Sequence, residues 1–242
     1  MSLHISKKNN SKSIFDKEIY VNFAKYILSC QDLEGGIHWE PNSKLDPWDH
    51  IESAMGLDVL GFEAESKNAY NWLRTYQESD GSWLSLFHSA EINNLRDCLK
   101  NKPHRFDRNW ESKERYSMDW YYPILSGAFS ESESIEKIKE KWDKFVVEGL
   151  GCKCVEEEPW VTAAESAELV LALTKIGLFN EAEKILQDTF NLIGDDGLLW
   201  TGYVYKDKKF WPIEKPSWTM GAAILAGNSL NKFSPSGDFF KF

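Results

Sequence analysis

Two pairs of acidic residues share one spacing in this chain of 242 residues. Asp49 and Glu52 stand three positions apart, and so do Glu165 and Glu168. Residues three apart lie on one face of a helix, so each pair would present two carboxylates to the same side. Carboxylates that face one cavity can divide acid and base work, because one can hold a proton while another accepts one. These pairs are therefore candidate catalytic groups.

The two pairs occupy equivalent positions of an internal repeat with a constant offset of 116 residues. Each copy indicates a helix, a glycine stop, a second helix and an Asp-Gly turn that leads to a tryptophan. The turns read QESDGSW and GDDGLLW, and a related turn reads QDLEGGIHW. Further matches across the offset are Leu57 with Leu173, Leu60 with Ile176, Gly61 with Gly177, Glu65 with Glu181, Asp80 with Asp196 and Gly81 with Gly197.

Apolar periodicity predicts two kinds of helix. Segments such as WVTAAESAELVLALTKIG are apolar on nearly every face, which is typical of helices buried all round, whereas NEAEKILQDTFNLI is amphipathic. The fold class predicted is all-α, an α/α toroid with fewer than six helix pairs. VVEGLGCKCVEE and LLWTGYVY can form only short extended pieces. We expect inner helices near 48–60, 117–128, 160–176 and 217–230, and outer helices near 14–30, 64–78, 88–101, 133–148 and 180–193.

The domain organisation follows from this pattern. We expect one toroid domain over 14–231, a disordered N-terminus over 1–13 and a C-terminal tail over 232–242. Five outer helices with only four inner ones indicate an incomplete ring. An open ring leaves apolar helix surface bare, which predicts a homodimer.

The predicted site lies where the inner helices begin, because both acidic pairs fall in first turns. Asp119 opens a further inner helix and joins them, so the catalytic candidates are Asp49, Glu52, Asp119, Glu165 and Glu168. The alternative is structural, since acids in a first turn also cap helices or pair with basic residues. Burying Glu165 and Glu168 in apolar company favours a functional role.

Aromatic residues gather at the same predicted end, and the chain has eleven tryptophans. Rings that line a cavity can stabilise a carbocation or stack on a sugar. Trp39 and Trp83 are expected instead to brace outer helices. The ligand-binding candidates are Trp48, His50, Trp120, Tyr121, Trp160, Trp200, Tyr203 and Trp218, with Tyr122 and Trp211 beside them.

Composition excludes several classes. A net charge of −10 argues against nucleic acid and anionic membrane surfaces as partners. No apolar run is long enough to span a membrane, and the polar start differs from a signal peptide, so a cytoplasmic location is expected. Cys152 and Cys154 are spaced too closely for a zinc knuckle, and no cofactor or metal is predicted.

A family resemblance rests on segments in a fixed order: DPWDHIESAMGLDVLG, RFDRNWESKERYSMDWYYPILSGA, GLGCKCVEEEPWVTAAESAELVLAL and WTGYVYKDKKFWPIEKPSWTMGAA. They resemble bacterial prenyltransferase-like proteins, and the QESDGSW turn resembles the repeat of squalene cyclases. The resemblance implies an α/α toroid that binds an isoprenoid. The chain departs from that family in lacking a middle segment after Trp83, the DxDD acid motif and the DDxxD diphosphate motif.

Three functions therefore remain. The first is a prenyltransferase-like or terpenoid-cyclase-like protein with an isoprenoid in its aromatic cavity. The alternative is a carbohydrate-active toroid, a glycosidase, lyase or epimerase with paired carboxylates and a saccharide ligand. A second alternative is a non-catalytic binding or assembly remnant.

Overall fold

A computed structural model describes residues 13–79, 81–83 and 113–234. The described residues are mostly helical. The predicted outer helix near 88–101, residues 1–12 and residues 235–242 lie outside them. The helices are α1 (Lys17–Cys30), α2 (Pro47–Val59), α3 (Glu63–Thr75), α4 (Ser117–Leu125), α5 (Glu131–Phe145), α6 (Ala163–Lys175), α7 (Phe179–Thr189) and α8 (Ser217–Asn231). The strands are β1 (Val146–Val147), β2 (Gly151–Lys153), β3 (Trp160–Thr162), β4 (Gly202–Val204) and β5 (Lys209–Phe210).

Four inner helices follow one another around a ring. Helix α4 packs on α6, α6 on α8, and α8 on α2. Trp48 of α2 also stacks on Tyr122 of α4, with ring centroids 6.2 Å apart. Helices α3, α5 and α7 pack outside α2, α4 and α6, and α1 packs outside α8. The predicted all-α toroid with fewer than six helix pairs is confirmed for the described part of the chain.

The internal repeat appears in the backbone. Helices α2 and α6 begin 116 residues apart, and so do α3 and α7. Gly61 and Gly177 end the first helix of each copy with left-handed φ angles of 86° and 77°. In each copy the amide after the glycine donates to a leucine carbonyl, Leu57 or Leu173, at 3.0 and 2.9 Å. Both copies thus end their inner helix with the same hydrogen-bonded cap.

The small sheet corrects one helix boundary. Residues 160–162 were expected to be helical but form β3, at the centre of an antiparallel sheet in the order β1-β2-β3-β4-β5. Thr162 pairs with Cys152 on one side and with Gly202 on the other. A side chain at position 202 would strike the Trp160 indole, so this pairing requires glycine. Strand β3 therefore leads directly into α6, which begins at the next residue.

Helices α2 and α8 approach closely at glycines. A Cβ at Gly221 would lie 2.8 Å from the carbonyl oxygen of Glu52, and one at Gly56 would lie 3.0 Å from the Gly221 Cα. Only residues without side chains permit this backbone contact. The packing sets the position of Glu52 against α8.

We expect Gly221→Ala to destabilise the fold by about 2 kcal/mol, because the added methyl group must push α8 away from α2. Gly177→Ala is the matched control: its Cβ would meet nothing within 4 Å, so only the left-handed φ opposes it, at about 1 kcal/mol. Urea unfolding measures both. Equal losses in the two variants would contradict the packing argument.

Candidate functional site

Four carboxyl groups converge at the end of the ring where the inner helices begin, which we call the mouth. The exposed fractions of Glu52, Glu165 and Glu168 are 8%, 7% and 7%, and Asp49 is half-buried. The charges of Glu168, Asp49 and Glu165 all act on Glu52. These four residues, the carboxylate cluster, bring both acidic pairs of the repeat into one site.

Two tyrosines of α4 hold Glu168. The hydroxyl of Tyr121 donates a short hydrogen bond to Glu168 Oε2, and that of Tyr122 donates to Oε1 at 2.9 Å. Burial and the neighbouring Glu165 raise the pKa of Glu168 to about 7, while the two hydroxyls oppose this rise. Burial raises the pKa of both tyrosines, so they remain donors.

Glu52 is the most deeply enclosed member of the cluster. Burial, and then the charge of Glu168, raise its pKa well above the usual range. Its Oε2 atom has no hydrogen-bond partner in the described residues. Burial and the nearby Asp46 raise the pKa of Asp49 to about 7, and Trp39 and Lys44 offset part of that rise. Burial therefore favours the protonated forms of Glu52, Glu168 and Asp49.

The cluster contains both an acid and a base. Glu52 keeps its proton because nothing stabilises its ionised form, whereas Glu168 accepts two hydrogen bonds that favour its carboxylate. Cys154 contacts Glu165, and burial raises the pKa of that thiol, so it adds no negative charge. A protonated carboxyl beside a hydrogen-bonded carboxylate is the arrangement that general acid–base chemistry requires.

Asp119 lies apart from the cluster. It is exposed and lines an open pocket of about 590 Å³ along one face of α4. Tyr122 also lines this pocket, so the pocket adjoins the cluster through the tyrosine that bonds Glu168. Asp119, predicted as a catalytic candidate, thus lines this pocket and is not among the acids whose charges act on Glu52 or Glu168.

Two predicted ligand-binding residues face away from the mouth. His50 is fully buried: its Nδ1 accepts from the amide of Ile37, its Nε2 contacts the carbonyl of Ala69, and burial lowers its pKa to about 4. Trp120 is buried too, and its Nε1 donates to the carbonyl of Lys137 in α5 at 2.8 Å. Both side chains are buried and form hydrogen bonds within the protein, so we do not include them in the proposed site.

The remaining aromatic candidates lie at the starts of α2 and α8 or on and beside the strands of the small sheet. Trp48 is 62% exposed although it stacks on Tyr122. Trp160 donates from Nε1 to the carbonyl of Trp211 at 2.7 Å, and their rings meet edge to face. The other three contacts also join aromatic rings: Trp200 and Tyr203 both pack on Phe210, and Trp218 lies against Trp39 with centroids 6.4 Å apart.

Sequence reasoning placed one turn tryptophan correctly and misplaced another. Trp83 braces outer helix α3, because its indole donates to the carbonyl of Leu73 at 2.7 Å. Trp39 was expected to do the same but lies at the mouth beside Asp49 and Trp218. The two turns have similar sequences. The one feature that could have indicated a different position for Trp39 is that its turn is followed by α2, an inner helix.

Several buried polar atoms at the mouth lack partners among the described residues. Buried polar groups in folded proteins are rarely unpaired, so a group of them indicates a place where water or ligand supplies the missing bond. All belong to the starts of inner helices or to the segments that lead into them. They are Glu52 Oε2, Thr162 Oγ1, Trp218 Nε1 and Thr219 Oγ1.

Neither a metal centre nor a membrane span is evident in the described ranges. No group of three or more His, Cys, Asp or Glu side chains there is arranged to hold a metal ion. None of the helices there is both long and apolar enough to cross a bilayer. The predicted cytoplasmic location and homodimer stay predictions.

Comparison with known proteins finds relatives and neighbours that are named as carbohydrate-active proteins. No protein-family model matches the chain. It is 28% identical to the MMP endo-(1,4)-3-O-methyl-alpha-D-mannosidase of Mycolicibacterium hassiacum, over 90% of this chain and 88% of that protein. A solved glycosidase in complex with glucose has a TM-score of 0.58 at 12% identity, over 95% of this chain and 100% of that one. The alpha-1,6-mannanase GH76A of Salegentibacter sp. HEL1_6, an inactive variant with alpha-1,6-mannotriose, has a TM-score of 0.38 at 14% identity, over 92% and 66%.

The resemblance to prenyltransferase-like proteins and squalene cyclases is therefore wrong. The relative that aligns over most of the chain is named a mannosidase, and the solved structure with the same fold is a glycosidase. The isoprenoid reading rested on a repeat of helix pairs and Asp-Gly turns. Such a repeat specifies the toroid, and a fold can carry unrelated activities.

Burial of the carboxylate cluster should make stability depend on pH. The folded-state pKa of Glu168 is raised to about 7, above the ordinary value of 4.5, so its contribution is fully present below about pH 4.5 and is lost as pH rises through 7. That shift corresponds to roughly 3 kcal/mol, or about 5 to 10 °C in Tm.

We expect the Tm of the native chain to fall more between pH 5 and pH 8 than that of Glu168→Gln, which cannot ionise. Glu181→Gln, an exposed residue of α7, is the control and should follow the native chain. Differential scanning calorimetry measures all three. Parallel pH curves for Glu168→Gln and the native chain would show that Glu168 titrates normally.

Proposed function

We propose that this protein is a glycoside hydrolase that cleaves α-mannosidic bonds within an oligosaccharide. The observation that carries the proposal is the carboxylate cluster, in which Glu52 retains a proton beside a Glu168 carboxylate held by two tyrosines. Glycoside hydrolysis needs one carboxyl group to protonate the leaving oxygen and another to serve as base or nucleophile. The cluster supplies both.

The surroundings of the cluster support a sugar ligand. Exposed Trp48 on Tyr122 offers a flat ring surface at the mouth, which suits the apolar face of a sugar. The unpartnered polar atoms nearby provide donors and acceptors for hydroxyl groups. The mannosidase name of the 28% identical relative supports α-1,4-linked mannose as the sugar, with or without 3-O-methyl groups.

The proposed mechanism assigns the two roles by environment. Glu52 donates its proton to the glycosidic oxygen as the bond from that oxygen to the anomeric carbon breaks. Glu168, ionised, stabilises the positive charge that develops on the anomeric carbon and takes a proton from the water that completes hydrolysis. Tyr121 and Tyr122 position the Glu168 carboxylate. Asp49 and Glu165 tune the proton affinity of both groups through their charge.

We expect Glu52→Gln and Glu168→Gln each to lower kcat on α-1,4-linked mannooligosaccharides by about 10³-fold, because each removes one of the two proton transfers. Release of reducing ends measures the rate, and chromatography of products tests internal cleavage. Exposed Glu181→Gln should retain full activity. Full activity in either cluster variant, or no cleavage of mannosides by the native protein, would overturn the proposal.

We expect Tyr122→Phe to move the acidic limb of the pH–rate profile to higher pH. The Tyr122 hydroxyl favours ionised Glu168, so its loss raises the pKa of the base and requires a higher pH for activity. Tyr205→Phe, which removes a hydroxyl from the β4–β5 turn, should leave the limb in place. An unshifted limb in Tyr122→Phe would remove Glu168 from the role of base.

A further inference from the structure

Two tryptophans outside the carboxylate cluster form an aromatic surface on the small sheet. Trp160 in β3 and Trp211, which directly follows β5, meet edge to face with ring centroids 5.1 Å apart. The indole Nε1 of Trp160 donates to the main-chain carbonyl of Trp211 at 2.7 Å. The Trp211 side chain is nevertheless 51% exposed. These two residues, the sheet aromatic pair, therefore combine a fixed ring with a ring that is open to solvent.

The backbone of the sheet fixes the position of this pair. The amide of Trp211 donates to the carbonyl of Gly202 at 3.0 Å. A Cβ at Gly202 would strike the Trp160 indole, so that indole extends from β3 across Gly202 toward Trp211. Because the main chain of Trp211 accepts its hydrogen bond, the Trp160 ring is held independently of the Trp211 side chain.

One face of the sheet leads from the pair to the carboxylate cluster. Side chains alternate along a strand, so Trp160 and Thr162 point to the same face, about 7 Å apart along β3. Thr162 pairs with Cys152, which shares that face because directly opposite residues do. The charges of Glu165 and Glu168 act on the Cys152 thiol. Trp160 therefore lies two residues outward from a position that borders the cluster.

Burial decreases along this face in the same direction. Cys152 and Thr162 are 0% and 1% exposed, Trp160 is half-buried, and Trp211 is the most exposed of the four. The face thus runs from the enclosed cluster to solvent and presents its two rings on the way out.

The sheet aromatic pair and Trp48 belong to different sides of the cluster. Trp48 opens α2, the helix that carries Glu52, whereas Trp160 belongs to the strand that leads into α6, the helix that carries Glu168. Cleavage inside a glycan requires that sugar units bind on both sides of the broken bond. An aromatic surface on each side meets that requirement.

We propose that Trp160 and Trp211 form a second sugar-binding subsite, which takes a pyranose unit on the opposite side of the cleaved bond from Trp48, and this rests on the proposed function. Trp211 provides the exposed ring on which the C–H groups of the sugar pack, because that contact removes apolar surface from water. Trp160 braces this ring from its edge. The subsite makes the enzyme prefer long oligosaccharides to short ones.

The dependence of activity on substrate length tests the subsite. A disaccharide fills only the two positions beside the cleaved bond, whereas a hexasaccharide reaches the sheet aromatic pair. We expect Trp211→Ala to lower the ratio of kcat/KM for α-1,4-linked mannohexaose to that for mannobiose by about ten-fold, the effect of losing roughly 60 Å² of buried apolar surface. Calorimetric titration of Glu52→Gln, with and without Trp211→Ala, measures the same change as a ratio of dissociation constants.

Two further variants separate loss of the ring from general damage. Trp211→Phe keeps an aromatic face and should retain most of the native ratio. Phe129→Ala removes a partly exposed ring between α4 and α5, at the end of the toroid away from the mouth, and should leave the ratio unchanged. Thermal unfolding of each variant confirms that the fold is intact.

The outcomes separate the two proposals. If the native protein cleaves mannooligosaccharides but Trp211→Ala keeps the native ratio, the subsite is wrong and the proposed function stands. An equal loss in Phe129→Ala would also overturn the subsite. If the native protein binds mannohexaose without cleaving it, and Trp211→Ala weakens that binding, the proposed function fails and the sugar-binding surface stands. If the native protein neither binds nor cleaves either oligosaccharide, both proposals fail.

Discussion

The burial of four like-charged groups in one small volume is the constraint on which the rest of the site depends. A carboxylate removed from water is costly unless it is paired, and in the described part of the chain no lysine or arginine is a principal partner of Glu52 or Glu168. The protein relieves the cost by protonation and by the hydroxyls of Tyr121 and Tyr122. The pKa values of Glu168 and Asp49 nevertheless stay raised to about 7, so both carboxyl groups can exchange protons near neutral pH.

The internal repeat places equivalent acids but does not make them chemically equivalent. Glu52 and Glu168 correspond across the 116-residue offset and both face the mouth. Helix α4 has no matching helix in the described part of the chain that would give Glu52 the two hydroxyls that Glu168 receives. Glu52 Oε2 thus lacks a partner in the described residues, while Glu168 accepts two hydrogen bonds that favour its ionised form. Two equivalent positions of the repeat thus differ in environment because α4 donates hydrogen bonds to only one of them.

The sequence predicted the inner helices and both acidic pairs because each depends on local signals. Fully apolar periodicity marks a buried helix, and Gly61 and Gly177 mark its end through their left-handed φ angles. When every face of a helix is apolar, the sequence does not indicate which face points toward the mouth. Adjacent residues point about 100° apart, which is why His50 turns into the core while Asp49 reaches the mouth, and why Trp120 and Tyr121 face opposite partners. The sheet depends on pairing between distant segments, and short strands carry little local pattern.

The chemistry of the mouth also shows why a repeat-based resemblance pointed to the wrong substrate. The turns and helix pairs that carried it lie in the scaffold, where Trp83 braces α3 and takes no part in the cluster. A site for an isoprenoid would need an apolar enclosure, since a hydrocarbon offers no partner to buried donors and acceptors. Here four carboxyl groups, two tyrosine hydroxyls and several unpartnered polar atoms line the mouth. A ligand with many hydroxyl groups can satisfy them as water does, and the rings beside them suit the apolar faces that such a ligand also presents. The hydrogen-bonding groups of the mouth, more than the fold around them, therefore support the proposal of a saccharide ligand.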